Sequence, residues 1–281
     1  MWKVVLVLVA GAVLASCNAP QEDGSDRLTV VATTGIIGDV IRNIGGDDLD
    51  LITLIPPGLD PHDYAPSAQQ VAMISAADLV FANGLGLEEG LIDLLAQAAS
   101  EGLSVTYLAE QSDPIDRDPH FWHDPARMQQ AADLIARSLG SSSDYSAELE
   151  VLDREVEEML DGIPPEKRVL VTGHDFFDYF ADRYDFEVLG TIIPGGSSLG
   201  SPSSADLASL VALMKQRDVR TILVENTSSP ELAESVADEV GPQVQIVAVG
   251  SDSLGEPGSE TGTYAELIRS NAKAIAAALG G

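Results

Sequence analysis

Only four histidines occur among 281 residues: His62, His120, His123 and His174. Neutral imidazole is the commonest side-chain metal ligand and suits zinc, copper, iron and nickel, so imidazoles gathered by a fold can make a transition-metal site. These four lack the short fixed spacing of a zinc finger, so tertiary structure would have to assemble them. They stand in Asp60-Pro61-His62-Asp63-Tyr64, in Asp118-Pro119-His120-Phe121-Trp122-His123-Asp124-Pro125, and in Thr172-Gly173-His174-Asp175-Phe176-Phe177. A carboxylate with the same placement is Asp252, in Gly250-Ser251-Asp252-Ser253-Leu254-Gly255. Each lies just past a segment that reads as a strand, or in a loop after one, and none is in the middle of a helix. Open α/β sheets bind ligands outside the carboxyl ends of their strands. A lone histidine is more often structural than a ligand, so it is the shared placement of all four that raises a metal site.

The segments that must position them alternate in type. Short β-branched runs predict strands over 28–33, 51–55, 78–82 and 103–108 in the first half, and over 169–172, 187–193, 221–224 and 245–249 in the second. Helical spacing predicts helices over 36–44, 67–76, 87–99, 125–139, 175–184, 204–217, 229–240 and 264–279, with His174 at the opening of the fifth. Such alternation implies parallel sheets with helical crossovers. Between the halves, Tyr145, Leu149, Leu152, Val156 and Leu160 fall on one helical face, and Gly162 with Pro164-Pro165 ends the run. This reads as a stiff connector between two βα (Rossmann-like) domains, the alternative being one more crossover in a single sheet. No Gly-x-Gly-x-x-Gly follows the first strand, which removes a dinucleotide fold.

The amino terminus carries a different signal. Lys3 precedes an apolar run from Val4 to Ala15, too short to cross a ~30 Å hydrocarbon core and in keeping with a secretory signal. The run ends Leu14-Ala15-Ser16-Cys17, which resembles the lipobox of bacterial lipoproteins. That resemblance implies cleavage before Cys17 and lipidation of Cys17, the single cysteine, leaving no thiol for a disulfide. Residues 17–26 are polar and read as a tether. The expected organisation is a signal peptide over 1–16, the lipid-anchored tether over 17–26, an N-terminal α/β domain over 27–141, a connecting helix over 142–163 and a C-terminal α/β domain over 164–281. With 45 acidic against 15 basic residues the net charge is −30. Nucleic acid and anionic lipid headgroups would be repelled. The acidity itself is attributed to solubility rather than to metal capture.

Taken together, Asp60-Pro61-His62-Asp63-Tyr64 with Pro66-Ser67, Asp118-Pro119-His120-Phe121-Trp122 with Asp124-Pro125, Thr172-Gly173-His174-Asp175-Phe176-Phe177 with Tyr179-Phe180-Ala181, and Asp252-Ser253-Leu254-Gly255 with Gly262-Thr263-Tyr264 resemble the metal-binding class of ABC-transporter solute-binding lipoproteins. Val224-Glu225-Asn226 stands where that family has a Glu at a strand end. The resemblance runs from about residue 28 to the end of the sequence. It implies two βα domains joined by a long helix, with metal in the cleft between them. It also implies a ligand set of His62, His120, His174 and Asp252, and Zn²⁺ as bound substrate for a membrane permease. A His at the third position resembles zinc-type members and a Glu manganese-type ones, so Mn²⁺ (or Fe²⁺) is the alternative cargo. The implied chain is a monomer, extracytoplasmic and held to the membrane through its lipid.

Two features depart from the family pattern. The stretch 108–118 is short and has no histidine, where many zinc-type members carry a long His-rich loop. His123 stands at a usually apolar position and is expected to lie beside the ligands or on the surface. Asp60, Glu225 or backbone carbonyls are the expected acceptors for the ligands' other ring nitrogens. The stretch 195–200 is unusually rich in flexible residues and would border the cleft mouth. Because bound imidazoles must be neutral, capture is expected to weaken below about pH 6. Release would come from local rearrangement of a ligand loop, for example around Asp252. Two other function classes remain open to the sequence. One is a zinc hydrolase, although no His-Glu-x-x-His motif is present; the other is an adhesin with a structural metal.

Overall fold

The computed structural model describes residues 27–225 and 229–280, so the expected signal peptide, the tether and Cys17 lie outside the described residues. The first half runs β1 (Leu28–Ala32), α1 (Gly35–Gly45), β2 (Leu49–Thr53), α2 (Ala68–Ser75), β3 (Leu79–Ala82), α3 (Ile92–Ser100), β4 (Ser104–Tyr107) and α4 (Pro125–Leu139). After α5 (Tyr145–Leu160) come β5 (Val169–Thr172), α6 (Asp178–Tyr184), β6 (Glu187–Thr191), α7 (Ser204–Arg217), β7 (Thr221–Glu225), α8 (Glu231–Val240), β8 (Gln245–Val249) and α9 (Tyr264–Leu279). The strands form two separate parallel sheets, ordered β2-β1-β3-β4 and β6-β5-β7-β8. The two halves therefore repeat one topology, and the single-sheet alternative is excluded.

Local chemistry explains many boundaries. Val30, Val31 and Ala32 of β1 are all fully buried, as expected of a parallel strand covered on both faces. Ser67 and Gln70 cap α2 reciprocally, and Ser203 and Asp206 do the same for α7. Asp124 caps α4, Pro125 occupies its first turn, and Gly140 ends it in the left-handed conformation.

Several expected boundaries shift by a residue or more, and three bear on the site. The strand expected over 51–55 is β2, two residues earlier, although its ladder continues through Leu54 N–H to Ala32 O and Ile55 N–H to Thr33 O. The helix expected over 87–99 opens as a 3-10 turn, Glu89–Leu91, before α3. Gly90 lies so close to Tyr64 O that any side chain there would collide with it. Most relevant to the site, the helix expected from residue 175 starts only at Asp178, so His174 sits in a loop. His174, Phe176 and Phe177 are all fully buried, and one helical face cannot bury residues at this spacing.

The core has a plain division of labour. One apolar cluster packs α2 and α3 on the outer side of the first sheet, and another packs α7 and α8 on the outer side of the second. A third, much larger cluster is continuous through both domains. It takes in Ile37 and Ile41 of α1, Ile135 of α4, Leu149 and Val156 of α5, Phe177 and Phe180, and Leu267 and Ile275 of α9. The connecting helix α5 is therefore no free rod. Its Asp153 also accepts from Arg183 and from Tyr184 Oη of α6, and its Glu155 from Arg269 of α9. Sharing one core joins the domains firmly along this side.

Candidate metal centre

His62 follows β2, His120 follows β4, His174 follows β5 and Asp252 follows β8, so all four lie beyond the carboxyl ends of strands in their sheets. Two of the turns are built alike. In Asp60-Pro61-His62, Asp60 Oδ1 accepts the His62 backbone N–H at 2.8 Å. In Asp118-Pro119-His120, Asp118 Oδ1 accepts the His120 backbone N–H at 2.9 Å. The proline biases the Asp before it towards extended backbone, and the Asp side chain closes a turn onto the N–H two residues on. His174 is set by Thr172, whose Oγ1 donates to His174 O at 2.7 Å. Asp252 is held by its own loop: Trp122 Nε1 donates to Ser251 O at 3.0 Å, and Gly58 N–H donates to Ser253 Oγ at 2.8 Å.

These turns aim four donor groups at one point between the domains. One ligand-type atom from each of His62, His120, His174 and Asp252 lies within 4.8 Å of all the others. The Nε2 atoms of His62 and His174 stand 3.4 and 3.3 Å from His120 Nε2. Asp252 Oδ1 is 3.6 Å from His120 Nε2, and its Oδ2 is 3.8 Å from His174 Nε2 and 4.0 Å from His62 Nε2. None of the four residues is more than 3% exposed, and ligand-type atoms lying this close together suit an ion rather than an organic molecule. Asp252 Oδ2 and His62 Nδ1 are buried without any hydrogen-bond partner among the described residues. A buried, unpaired carboxylate oxygen facing the imidazole nitrogens of His62 and His174 is costly by itself and fits a cation.

The outer ring nitrogens determine which nitrogen faces inward. His120 Nδ1 faces Asp118 Oδ1 at 2.6 Å, and His174 Nδ1 is hydrogen-bonded to Glu225 Oε1. A carboxylate on Nδ1 holds the proton there and leaves the Nε2 lone pair free for a metal. Gly173 permits the second contact, since a Cβ at that position would collide with the Glu225 carboxylate. Asp60 takes a different part from the ring acceptor expected of it: it grips the His62 backbone, while its Oδ2 accepts from Ser198 Oγ at 2.5 Å. The residue on the His120 ring is Asp118, which sequence reasoning did not single out. The doubled Asp-Pro-His tripeptide was the available signal. His123 is not on the surface but fully buried, in an aromatic cluster 4.8 Å from the Phe177 ring centre and 5.6 Å from Trp122. It does not join the four converging residues.

Electrostatics divides the cluster. Burial, then the neighbouring imidazoles, pushes His120 well below its ordinary pKa. Burial also lowers His62, partly offset by Asp60. His174 moves the other way: burial alone would lower it, but the Glu225 hydrogen bond and the Asp252 charge outweigh this and raise it. Burial pushes both Asp252 and Asp118 up to about 7.

Two parallel-sheet α/β domains closing on a buried cluster of imidazoles and one carboxylate define the architecture of a metal solute-binding protein. Residues 30–278 match the family described as zinc-uptake complex component A, periplasmic, and the chain belongs to that family. The zinc-binding protein TroA of Treponema pallidum (strain Nichols) is 32% identical, with 89% of this chain and 88% of that protein covered. The metal ABC transporter substrate-binding lipoprotein ScbA of Streptococcus cristatus is 30% identical over 98% of this chain and 97% of its own length. The manganese-binding lipoprotein MntA of Bacillus subtilis (strain 168) is 29% identical, with 97% of each chain covered. The solved structure of the periplasmic zinc binding protein TroA from Treponema pallidum superposes with a TM-score of 0.82 at 30% identity, covering 90% of this chain and 99% of that one. The chain is accordingly an extracytoplasmic substrate-binding component of a metal ABC transporter and not an enzyme, which sets the hydrolase alternative aside.

Proposed function

We propose that the chain captures Zn²⁺ through His62, His120, His174 and Asp252 and delivers it to a membrane permease. The observation that carries this reading is the convergence of three Nε2 atoms and one carboxylate. Zn–N bonds of about 2.0–2.1 Å in a tetrahedron require ligand atoms about 3.3–3.4 Å apart. The two closest nitrogen pairs here stand at 3.3 and 3.4 Å. Three borderline nitrogen donors favour zinc over manganese, which prefers oxygen and lies lower in the affinity order. A relative named for zinc, TroA, supports the same choice.

Mn²⁺ (or Fe²⁺) is the second reading, and a specific feature favours it. Both Asp252 oxygens face the histidines, one towards His120 and the other towards His62 and His174. A bidentate carboxylate would raise the coordination number beyond zinc's usual four. MntA, a relative of similar identity, is named for manganese.

We further propose that residues 1–16 are removed as a signal peptide and that Cys17 carries the lipid anchor, with 17–26 as tether. ScbA and MntA, both named as lipoproteins, support this. In this reading residues 27–141 and 164–281 are the two domains, 142–163 connects them, and the protein acts as a monomer. Elemental analysis of untagged protein, with Zn²⁺ and Mn²⁺ in competition, tests the cargo. About one Zn per chain, lost in His174→Ala and kept against excess Mn²⁺, supports zinc. Displacement by Mn²⁺ moves the substrate, and absence of metal after reconstitution overturns the site.

A further inference from the structure

The segment between β6 and α7 is flexible in composition, yet it touches the surroundings of three of the four cluster residues. Its root is tied to the residue after His174. Gly195 N–H donates to Asp175 Oδ2 at 2.9 Å, and Asp175 N–H donates to Gly195 O at 3.3 Å. Gly195 has a φ of 105°, a conformation that strains any residue with a side chain. Next, Gly196 sits so that a side chain there would meet the ring of Pro119, immediately before His120. The segment then crosses to the other domain. Ser197 Oγ donates to Glu89 Oε1 at 2.7 Å, and Ser198 Oγ donates to Asp60 Oδ2 at 2.5 Å.

Both acceptors belong to the His62 side. Asp60 holds the His62 backbone N–H, and Glu89 Oε1 stands 3.7 Å from His62 Nδ1. His62 is the histidine of the cluster whose outer nitrogen lacks a hydrogen-bonded carboxylate. The Asp252 loop, by contrast, is pinned by Trp122, Gly58 and the side chain of Asn271, whose Oδ1 accepts the Gly250 N–H at 2.8 Å. The two contacts made by Ser197 and Ser198 on the His62 side lie instead at exposed and half-buried positions.

We infer that Ser197 and Ser198 form an interdomain strap that positions His62 through Asp60 and Glu89 and so sets the rate at which the site opens and releases its ion. The inference rests on the metal-capture reading. The domains are joined along α5 and α9 by a shared core, and the strap fastens the opposite edge with two hydroxyl–carboxylate bonds. These bonds lie at exposed and half-buried positions, where water can replace the partner and the core is not disturbed when they break, which suits a fastening that must open repeatedly. Ser197 and Ser198 touch no ion in this scheme; they act through the carboxylates.

The test compares full-length wild type with the S197A/S198A double variant and with Ser198→Thr, which keeps the hydroxyl. Two readouts are taken. The first is hydrogen exchange of the metal-free protein over residues 58–64, which lie in the domain opposite the substitution. The second is the rate of Zn²⁺ transfer to a chelator. The double variant is expected to exchange faster over 58–64 and to release Zn²⁺ at least about tenfold faster, a lower bound for two hydroxyl–carboxylate bonds weakened by their exposure to water. Its stoichiometry and melting temperature should match wild type, and Ser198→Thr should recover most of the difference in both readouts. Unchanged exchange over 58–64 overturns the strap whatever the metal data show. Faster exchange with an unchanged release rate overturns its role in release. Wild type that holds no zinc fails the capture reading instead, and exchange over 58–64 still decides the strap.

Discussion

The tripeptide Asp-Pro-His occurs twice, and its two copies end in different mechanical settings. Around His120 the outer ring nitrogen, the backbone N–H and the two preceding carbonyls are all held, although Asp118 Oδ2 has no hydrogen-bond partner among the described residues. Asp118 Oδ1 takes both the ring and the backbone N–H, Tyr179 Oη donates to Asp118 O at 2.7 Å, and Asn83 Nδ2 donates to Pro119 O at 2.9 Å. Asn83 is itself fixed, its backbone N–H donating to the buried Glu88 at 2.7 Å. Around His62 the same turn forms, but the ring nitrogen has no comparable acceptor, and the nearest carboxylate, Glu89, is 43% exposed. Identical local sequence thus gives one firmly held imidazole and one that leans on the other domain. Local turn chemistry decides the backbone; the surrounding elements decide how firmly the side chain is held.

The largest effect that could break this comparison comes from removing each ring. His120→Ala and His62→Ala should each weaken Zn²⁺ binding on the order of a thousandfold, taking ~10–16 kcal/mol for four ligands as a guide. Calorimetry of the metal-free proteins should then separate them. His120→Ala leaves Asp118 buried without its partner and should lose about 1–3 kcal/mol, whereas His62→Ala should melt close to wild type. Equal melting temperatures would remove the distinction.

A smaller effect sharpens it. Asp118→Asn should cost roughly 10–100-fold in zinc affinity, as expected when the partner on a ligating ring is altered. Asp60→Asn keeps an oxygen for the His62 N–H and should cost less, about threefold or below. Competition titrations that reverse this order would show that the two turns are equivalent after all.

Acidity reads the same asymmetry. The raised pKa of His174 and the value of about 7 at Asp252 mean that protons compete at those two groups first as pH falls. Affinity is complete above these pKa values and declines as pH drops through them, by up to about tenfold per pH unit for each competing proton. The decline should therefore begin near pH 7, above the onset near pH 6 expected from unperturbed histidine. His120 and His62, pushed down by burial, contribute nothing to that early loss. Glu225→Gln, which weakens the pull on His174, should shift the decline to lower pH.

The smallest effect is on stability alone. Tyr179→Phe removes the donor to Asp118 O and the acceptor of Ile115 N–H. It should cost about 1 kcal/mol, lowering the melting temperature by roughly 2–4 °C with zinc stoichiometry unchanged.

Much of this molecule was legible in its sequence because the relevant physics is local. β-branched runs between capped helices imply parallel sheets, and a face of Tyr145, Leu149, Leu152, Val156 and Leu160 implies one packed helix; α5 buries all five. The positions of His62, His120, His174 and Asp252 after strands follow from the same alternation. Other features depended on distant partners. Burial of Phe176 and Phe177 beside His174 delayed the start of α6, and no spacing rule announces that. Glu225 was an expected acceptor and does meet a ligand-type ring, but that the ring is His174, 51 residues away, follows only from the pairing of adjacent strands. His123 looked like a surface or neighbouring group until the aromatic cluster enclosed it. Sequence alone determined which side chains could bind and where the backbone would turn. Only tertiary structure decided that Glu225 orients His174 and that the outer nitrogen of His62 is left without a carboxylate, because those outcomes depend on elements whose approach is set by the packing of the shared core.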